Sequence, residues 1–400
     1  MVRASFRMTY VSPPLVPASR VLRSETLRHS FCVRQGTLLV SDHPGSRLLG
    51  TENRIKEAIL KNDPIEDKLH VIIVIFNPCS YKSRYVLAKR FIQTFQKYEK
   101  DVILYIVELI YPNQEYVVTD KNNPRHLQLF TEFPLWHKEN LINVGIQKLL
   151  PPSWKAVAWI DADIEFESTT WAKDTLKLLN GQCDIVQLFS QVIDTDSRNN
   201  PQRVSNSGGY QYSKCVPYLA EGLQFWHPGF AWACTKNAYQ HMGEIFDLEI
   251  IGNGDIILMT SIIHPVKIDY TRDRLLRYSK GYMNSILKFK ERAKKLKYGY
   301  VPGLILSHFH GKKKNRKYLE RNEILLKYKF DPYVHIQKDV NGVIIPTEKC
   351  PKGLLDEIMG YFKDRKEDEL FQHKVPKCTH SIYKRRPLKS TGKTKKNRRK

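Results

Sequence analysis

The sequence predicts an α/β fold on a mostly parallel central sheet, and three stretches carry that prediction. Leu69 to Phe76 and Val102 to Ile110 are strand-length apolar runs. Between them, Tyr81 to Tyr98 places Val86, Leu87, Phe91, Ile92 and Phe95 at the three-and-four spacing of an amphipathic helix. The third stretch, Ala156 to Ile160, is five apolar residues running straight into Asp161 and Asp163. A continuous apolar run of that length suits a strand buried on both faces, as in parallel sheets. Strand, helix and strand in that order form a βαβ opening.

Taken in order, residues 1–65 hold Pro13, Pro14, Pro17 and Pro44 among scattered arginines, with no sustained period. They read as a poorly ordered extension with a helix near Glu52 to Lys61. Up to about Val40 the segment is Arg- and Ser-rich and acid-poor, which vaguely resembles a transit peptide, with an unstructured arm as the alternative. There is no signal-peptide hydrophobic region, and the longest apolar run, Val71 to Phe76, is strand-sized. The expectation is a soluble, cytoplasmic protein with no membrane span. After the first strand, Asn77-Pro78-Cys79-Ser80 is a turn. Neither G-x-G-x-x-G nor G-x-x-x-x-G-K-[ST] follows it, which disfavours dinucleotide and P-loop chemistry.

Tyr111 to Pro134 reads as a polar connection long enough for a binding loop. A helix then runs from Leu135 to Leu150. Lys138, Asn140 and Asn143 sit near its start, where free N–H groups favour an anion, although Lys138 could equally be a solvated first-turn charge. After the acids, Ser168 or Thr169 can cap a helix from Thr170 to Leu179. Asp184 to Phe189 is another strand, and Ser190 to Leu219 reads as an irregular, functional flap. A helix near Lys236 to Met242 and an apolar one from Ile256 to Ile263 follow. Leu304 to Gly311 reads as a strand end, and a helix then reaches about Lys329.

Four places carry chemistry. If the backbone stays extended, the two-residue period points Asp161 and Asp163 to one side. Such a pair repels itself near a core unless a cation neutralises it, and oxygen ligands with water and phosphate suit Mg²⁺ or Mn²⁺. An isolated Asp-x-Asp can also be a solvated turn; the buried strand before it favours the metal, because ligands of open α/β sheets gather at strand carboxyl ends. Trp226, Gly229 and Trp232 could stack on a sugar ring, or the tryptophans could simply be core. Asp255, after Gly252-Asn253-Gly254, could be an N-cap or a general base. His308 and His310 could give a nitrogen ligand, with Lys312, Lys313, Lys314 and Arg316 behind them at phosphate-binding density.

The totals bound this reading. The chain has 400 residues, 42% hydrophobic, with a net charge of +24, enough for a substantial core plus extensions. The charge is concentrated: Lys384 to Lys400 holds ten basic residues and no acid follows Glu369. That tail should be disordered, with a polyanion contact, a targeting address or simple solvation all open. Seven scattered cysteines without a C-x-x-C pair argue against a disulfide framework or a zinc site.

Collected, these stretches resemble glycosyltransferases of the GT-A fold, similar to the family-2-like transferases of phages, large DNA viruses and bacteria. The matching segments are Phe76-Asn77-Pro78, Glu108, Leu135 to Asn140, Trp159 to Asp163, Trp226 to Trp232, Gly252 to Asp255, and His308 to Gly311 with Arg316 and Tyr318. The resemblance implies a three-layer α/β/α GT-A domain over 66–330, after an extension at 1–65 and before a wrapping segment at 331–380 and a tail at 381–400. It implies transfer of a hexosyl or N-acetylhexosaminyl group from a UDP- or GDP-sugar to a glycan, protein or other hydroxyl acceptor, with inversion. Asp161 and Asp163 would bind Mn²⁺ or Mg²⁺, Asp161 partly through the ribose or a water, with His308 or His310 completing the site. Phe76, Asn77 and Glu108 would line the nucleotide pocket, with Lys138 and Asn140 beside it. Lys312 and Arg316 would face the diphosphate, and Asp255 would be the base. Ile256 and Ile257 depart from the polar residues expected after that aspartate and put the acceptor contacts in question. The rival readings are a sugar-phosphate nucleotidyltransferase, a non-catalytic polyanion- or nucleic-acid-binding protein, and a degenerate sugar binder.

Overall fold

Alternation along the buried strands builds the layers. In β1 (Leu69–Phe76), Leu69, Val71 and Ile73 enter one apolar core, while Ile72 and Phe76 enter another. The structure is a computed structural model, and it describes residues 44–216, 218, 225–263 and 277–370. Before β1 lies α1 (Pro44–Lys61), and after it come α2 (Lys82–Tyr98), β2 (Val102–Ile110), β3 (His126–Phe130), α3 (Lys138–Leu149) and β4 (Ala156–Ile160). In β4 the same split recurs: Ala156, Ala158 and Ile160 on one face, Val157 and Trp159 on the other. The sheet therefore separates two cores, as period-two side chains on a strand buried on both faces require.

The chain continues through β5 (Ile164–Phe166), α4 (Trp171–Leu178), β6 (Ile185–Gln187), β7 (Gln191–Thr195), β8 (Pro201–Ser207), α5 (Gly208–Ser213), β9 (Trp226–His227), β10 (Ala231–Thr235), α6 (Lys236–Met242) and α7 (Gly254–Ile262). The helix Lys280–Ala293 precedes β11 (Tyr298–Tyr300) and β12 (Leu304–Ser307). Helices Asn322–Lys327, Pro332–His335 and Lys352–Asp364 and the hairpin of β13 (Ile336–Lys338) and β14 (Ile344–Pro346) complete it. The central sheet has the order β11-β6-β10-β4-β1-β2-β3. Its described pairings are parallel except those of β10, which is antiparallel to β4 and β6. Helices α1, α2 and α4 cover one face, and α3, α6, α7, Lys280–Ala293 and Lys352–Asp364 cover the other. This is the three-layer, mostly parallel α/β architecture that the sequence predicts.

Three expectations are corrected. The stretch at 111–134 is not wholly irregular: β3 extends the sheet beside β2. The expected flap at 190–219 contains β7, β8 and α5, in a second sheet of order β5-β12-β7-β8-β9. Its hydroxyl- and amide-rich sequence hid the strands because they are half exposed and carry little apolar signal. The N-cap of α4 is Thr170 rather than Ser168 or Thr169. Residues 217 and 219–224, the transit-peptide-like segment and the basic tail lie outside the described residues. Among those described, no helix is long and apolar enough to cross a membrane.

At the start of α3, His137 is fully buried, Nε2 lies 3.1 Å from the Phe133 carbonyl, and Nδ1 has no partner. Burial pushes this imidazole down to about 4. Because its folded value lies below the ordinary one, its contribution is complete above about pH 6.5 and is lost as pH falls through 4. The expected cost is about 3 kcal/mol between neutral pH and pH 4. Urea unfolding at both pH values should show a shallower loss for His137→Gln than for the wild type; parallel losses would place the acid sensitivity elsewhere.

Candidate active site

Asp161 follows Val157 and Trp159 by steps of two, so it emerges on the α3 and α7 side of the sheet. Its N–H donates to the Phe230 carbonyl at 2.8 Å, tying the end of β4 to the turn before β10. Asp161, Ala162 and Asp163 then form a turn rather than an extended strand, and β5 leads away into the second sheet. The position is a switch point. β2 and β3 lie to one side of β1 and β4 to the other, so a crevice opens at the carboxyl ends of β1 and β4.

Lys138, the first residue of α3, is the hub of that crevice. Its Nζ is 2.7 Å from Asp161 Oδ1 and 3.2 Å from Asp255 Oδ2. The carboxyl end of β4, the start of α3 and the first turn of α7 therefore meet at one ammonium. Burial pushes both carboxyls above the usual range, Lys138 opposes that push, and repulsion between acids adds to it. Burial would lower Lys138 itself, but Asp161 and Asp255 outweigh it and hold the amine charged.

Asp163 faces the other way. Its Oδ2 is 3.1 Å from His310 Nε2, while its Oδ1 is buried without a partner. His310 Nδ1 lies 2.8 Å from the His308 carbonyl, which can only accept, so Nδ1 carries the proton. Burial, helped by Arg316, holds His310 well below its ordinary value and therefore neutral. Nε2 is then unprotonated, its lone pair beside a carboxylate oxygen, an arrangement that calls for a positive charge. Arg316 supplies part of it by hydrogen bonding His310 Nε2. Burial also raises Asp163, against the opposing pull of Arg316 and Arg84. An orphaned carboxylate oxygen beside a correctly oriented imidazole fits a divalent cation. Among the described residues, no three His, Cys, Asp or Glu side chains are already gathered as a ligand set. Asp163 and His310 would supply the closest pair, leaving positions for water and substrate oxygens.

The remaining candidates divide sharply. His308 turns aside, with Nε2 3.4 Å from Glu165. Gly229 borders the site, since a Cβ there would sit 3.0 Å from Asp255 Oδ2. Asp255 is not an N-cap: Asn253 holds that position and Asp255 lies in the first turn. Lys312 pairs with Glu369 at 2.6 Å. Glu108 faces the chain's own backbone. Its buried carboxylate accepts N–H bonds from Val117, Val118 and Thr119 and a 2.6 Å bond from the Thr119 hydroxyl, so it organises a loop. Asn77 is also buried, closing its own turn through both side-chain atoms to the Tyr81 backbone. Phe76 packs edge-on against Trp136, His137 and Phe362. Asn140 binds Asp247, the Gly342 carbonyl and the Ile344 N–H, anchoring the C-terminal hairpin instead of an anion. Trp226 and Trp232 are core residues, 2% and 0% exposed, with Trp232 Nε1 donating to the Pro228 carbonyl.

Several site residues escaped the sequence reading. Glu139 lies buried beneath Gly254, where any Cβ would collide with its carboxyl, and its Oε2 has no partner. Burial first, then Asp255, pushes it up to about 8. Glu249 accepts the N–H groups of Ile251, Gly252 and Asn253, and Arg321 binds the Asn253 side chain at 2.8 Å, so the Asp255 turn is caged from both sides. Gly252, at φ 98°, lies against Trp136. Arg84 Nε and Nη2 bind Glu367 at 2.5 and 2.9 Å, and Arg365 Nε binds it at 2.6 Å. Only the Glu139 neighbourhood left a local trace, in the adjacent Lys138-Glu139 pair that opens α3. Cys79, Cys183, Cys234 and Cys350 are thiols.

No family model matches the sequence, and no curated protein matches it. Among solved structures, the chain is similar to the catalytic domain of Drosophila beta1,4-galactosyltransferase 7 complexed with xylobiose. The identity is 11% and the TM-score 0.33, over 73% of this chain and 99% of that one. It is also similar to a mutant of that protein complexed with manganese, UDP-Gal and xylobiose, at 11% identity and a TM-score of 0.36, over 73% and 98% of the two chains. A likeness this distant carries no argument about chemistry, which rests on the side chains above.

Proposed function

We propose that this chain is a metal-dependent glycosyltransferase of GT-A type, moving a sugar from a nucleoside-diphosphate donor to an acceptor hydroxyl with inversion. One observation carries the reading: Lys138 joins Asp161 and Asp255 while Asp163, on the same turn as Asp161, meets His310. An acid on its own helix turn is thereby tied through Lys138 to the turn that carries an oxygen and nitrogen ligand pair, at the crevice where open α/β sheets bind nucleotides.

Each side chain has a task in this scheme. Asp255 takes the proton of the attacking hydroxyl, and Lys138 opposes the burial that would neutralise it. Arg316 and Arg84 place positive charge on the Asp163 side, where the diphosphate departs. Asp163 and His310 would hold Mn²⁺ or Mg²⁺, which when bound supplies Lewis-acid stabilisation of the leaving diphosphate. Gly229 leaves open the space beside Asp255 that an acceptor hydroxyl needs. A glycan, protein or other hydroxyl compound fills the acceptor role.

The test is a thermal-shift panel of UDP- and GDP-sugars with and without Mn²⁺. A donor at a hundred times its Kd stabilises the fold by about 2.7 kcal/mol. One nucleotide class should raise the melting temperature only with the metal. A panel in which no donor shifts the curve, with or without Mn²⁺, would reject the reading.

A further inference from the structure

His308 links the two halves of the candidate metal site through its main chain. β12 pairs antiparallel with β5, Ser307 opposite Ile164 and Leu306 opposite Glu165, so the chain leaving β12 crosses the acid turn. There the His308 N–H donates to the Asp163 carbonyl at 2.8 Å, and the His308 carbonyl lies 2.8 Å from His310 Nδ1. The first bond sets the turn that carries Asp163, and the second sets the tautomer that bares His310 Nε2. The His308 imidazole is then the handle by which both are held. Its Nε2 is 3.4 Å from Glu165 Oε2, and that oxygen is 3.5 Å from Arg90 Nη2 on α2. Its Nδ1 is buried without a protein partner, and the residue lines a cavity of about 30 Å³ together with Arg90, Phe91, Ala162 and Glu165. That is room for a water to complete its bonding.

We infer that Glu165 and Arg90 are positioning residues for the metal site, acting through His308, which is itself not a ligand. The chain runs from α2 through Arg90, Glu165 and the His308 ring to the His308 backbone, and so to Asp163 and His310. It rests on the metal reading above. Outer partners of metal ligands typically change affinity by roughly tenfold to a hundredfold when removed, without touching the ion.

The experiment is Mn²⁺ titration followed by electron paramagnetic resonance, at saturating UDP and separately GDP, with metal-free melting temperatures measured in parallel. Wild type should bind Mn²⁺ with at least one nucleotide. Glu165→Ala should weaken that binding by roughly tenfold or more with its metal-free melting temperature unchanged. Glu165→Gln, which keeps an acceptor for the imidazole N–H, should recover most of the loss. Arg90→Leu, at the more exposed end of the chain, should weaken binding by a smaller factor and serves if Glu165→Ala does not fold. Wild-type binding with Glu165→Ala and Arg90→Leu both within twofold of it would overturn the inference alone. Absence of Mn²⁺ binding in the wild type would overturn the metal reading and this inference with it.

Discussion

Asp163→Ala should abolish both sugar transfer and Mn²⁺-dependent nucleotide binding while the fold survives. The side chain sits on a turn, and among the described residues its Oδ1 makes no hydrogen bond and its Oδ2 pairs with His310, so its removal takes little from the packing. Burial already penalises its charge, and a partly uncompensated carboxylate contributes little to stability. Catalysis is another matter. Lewis-acid stabilisation of a departing diphosphate is worth several kcal/mol, which corresponds to a turnover loss of at least roughly a thousandfold. Nucleotide affinity measured by calorimetry should lose its Mn²⁺ dependence, while the metal-free melting temperature stays within a few degrees. Retained Mn²⁺-dependent binding would remove Asp163 from the metal site.

Asp255→Asn should separate binding from turnover. Lys138 keeps Asp161 as a partner, the cage of Glu249 and Arg321 around the turn does not involve the altered side chain, and donor affinity should hold. Turnover should fall by roughly a hundredfold to ten-thousandfold, the usual contribution of a positioned base. The pH profile gives a second readout. Burial raises the Asp255 carboxyl, and the base must be ionised, so wild-type turnover should climb with pH through an apparent value above that of a free aspartate. That limb should vanish in the variant. Normal turnover would transfer the role to another acid, and Glu139, directly beneath the same turn, would be next in line.

Most of the central sheet was legible because a strand buried on both faces leaves an uninterrupted apolar run, as at Leu69 to Phe76 and Ala156 to Ile160. The acids after Ile160 were legible for the same reason, since charge at the end of such a run has to be explained. Spacing could not show which way each side chain turns. Asp161 and Asp163 diverge because the backbone bends at Ala162, one toward Lys138 and one toward His310. Glu108 looked like a pocket acid, yet three backbone N–H groups of the loop that follows its strand claim it. The tryptophans misled for a simpler reason: β10 alternates Trp232 with Ala231 and Ala233, a pattern that signals close packing between strands as readily as ring stacking. Asn140 and Arg84 depend on partners some two hundred or more residues away, and no local period records that.

The Arg84 and Glu367 pairing bears on how the protein is made. A chain is synthesised from its amino end and tends to fold as it emerges. Here β1, α2 and the acid turn leave the ribosome long before Arg365, Glu367 and Asp368, which bind the start of α2 and flank Trp136. Until Arg365 and Glu367 arrive, the Arg84 guanidinium and the Trp136 ring stand without those partners. The contacts that hold the start of α2 are thus completed only after the final described helix has been made.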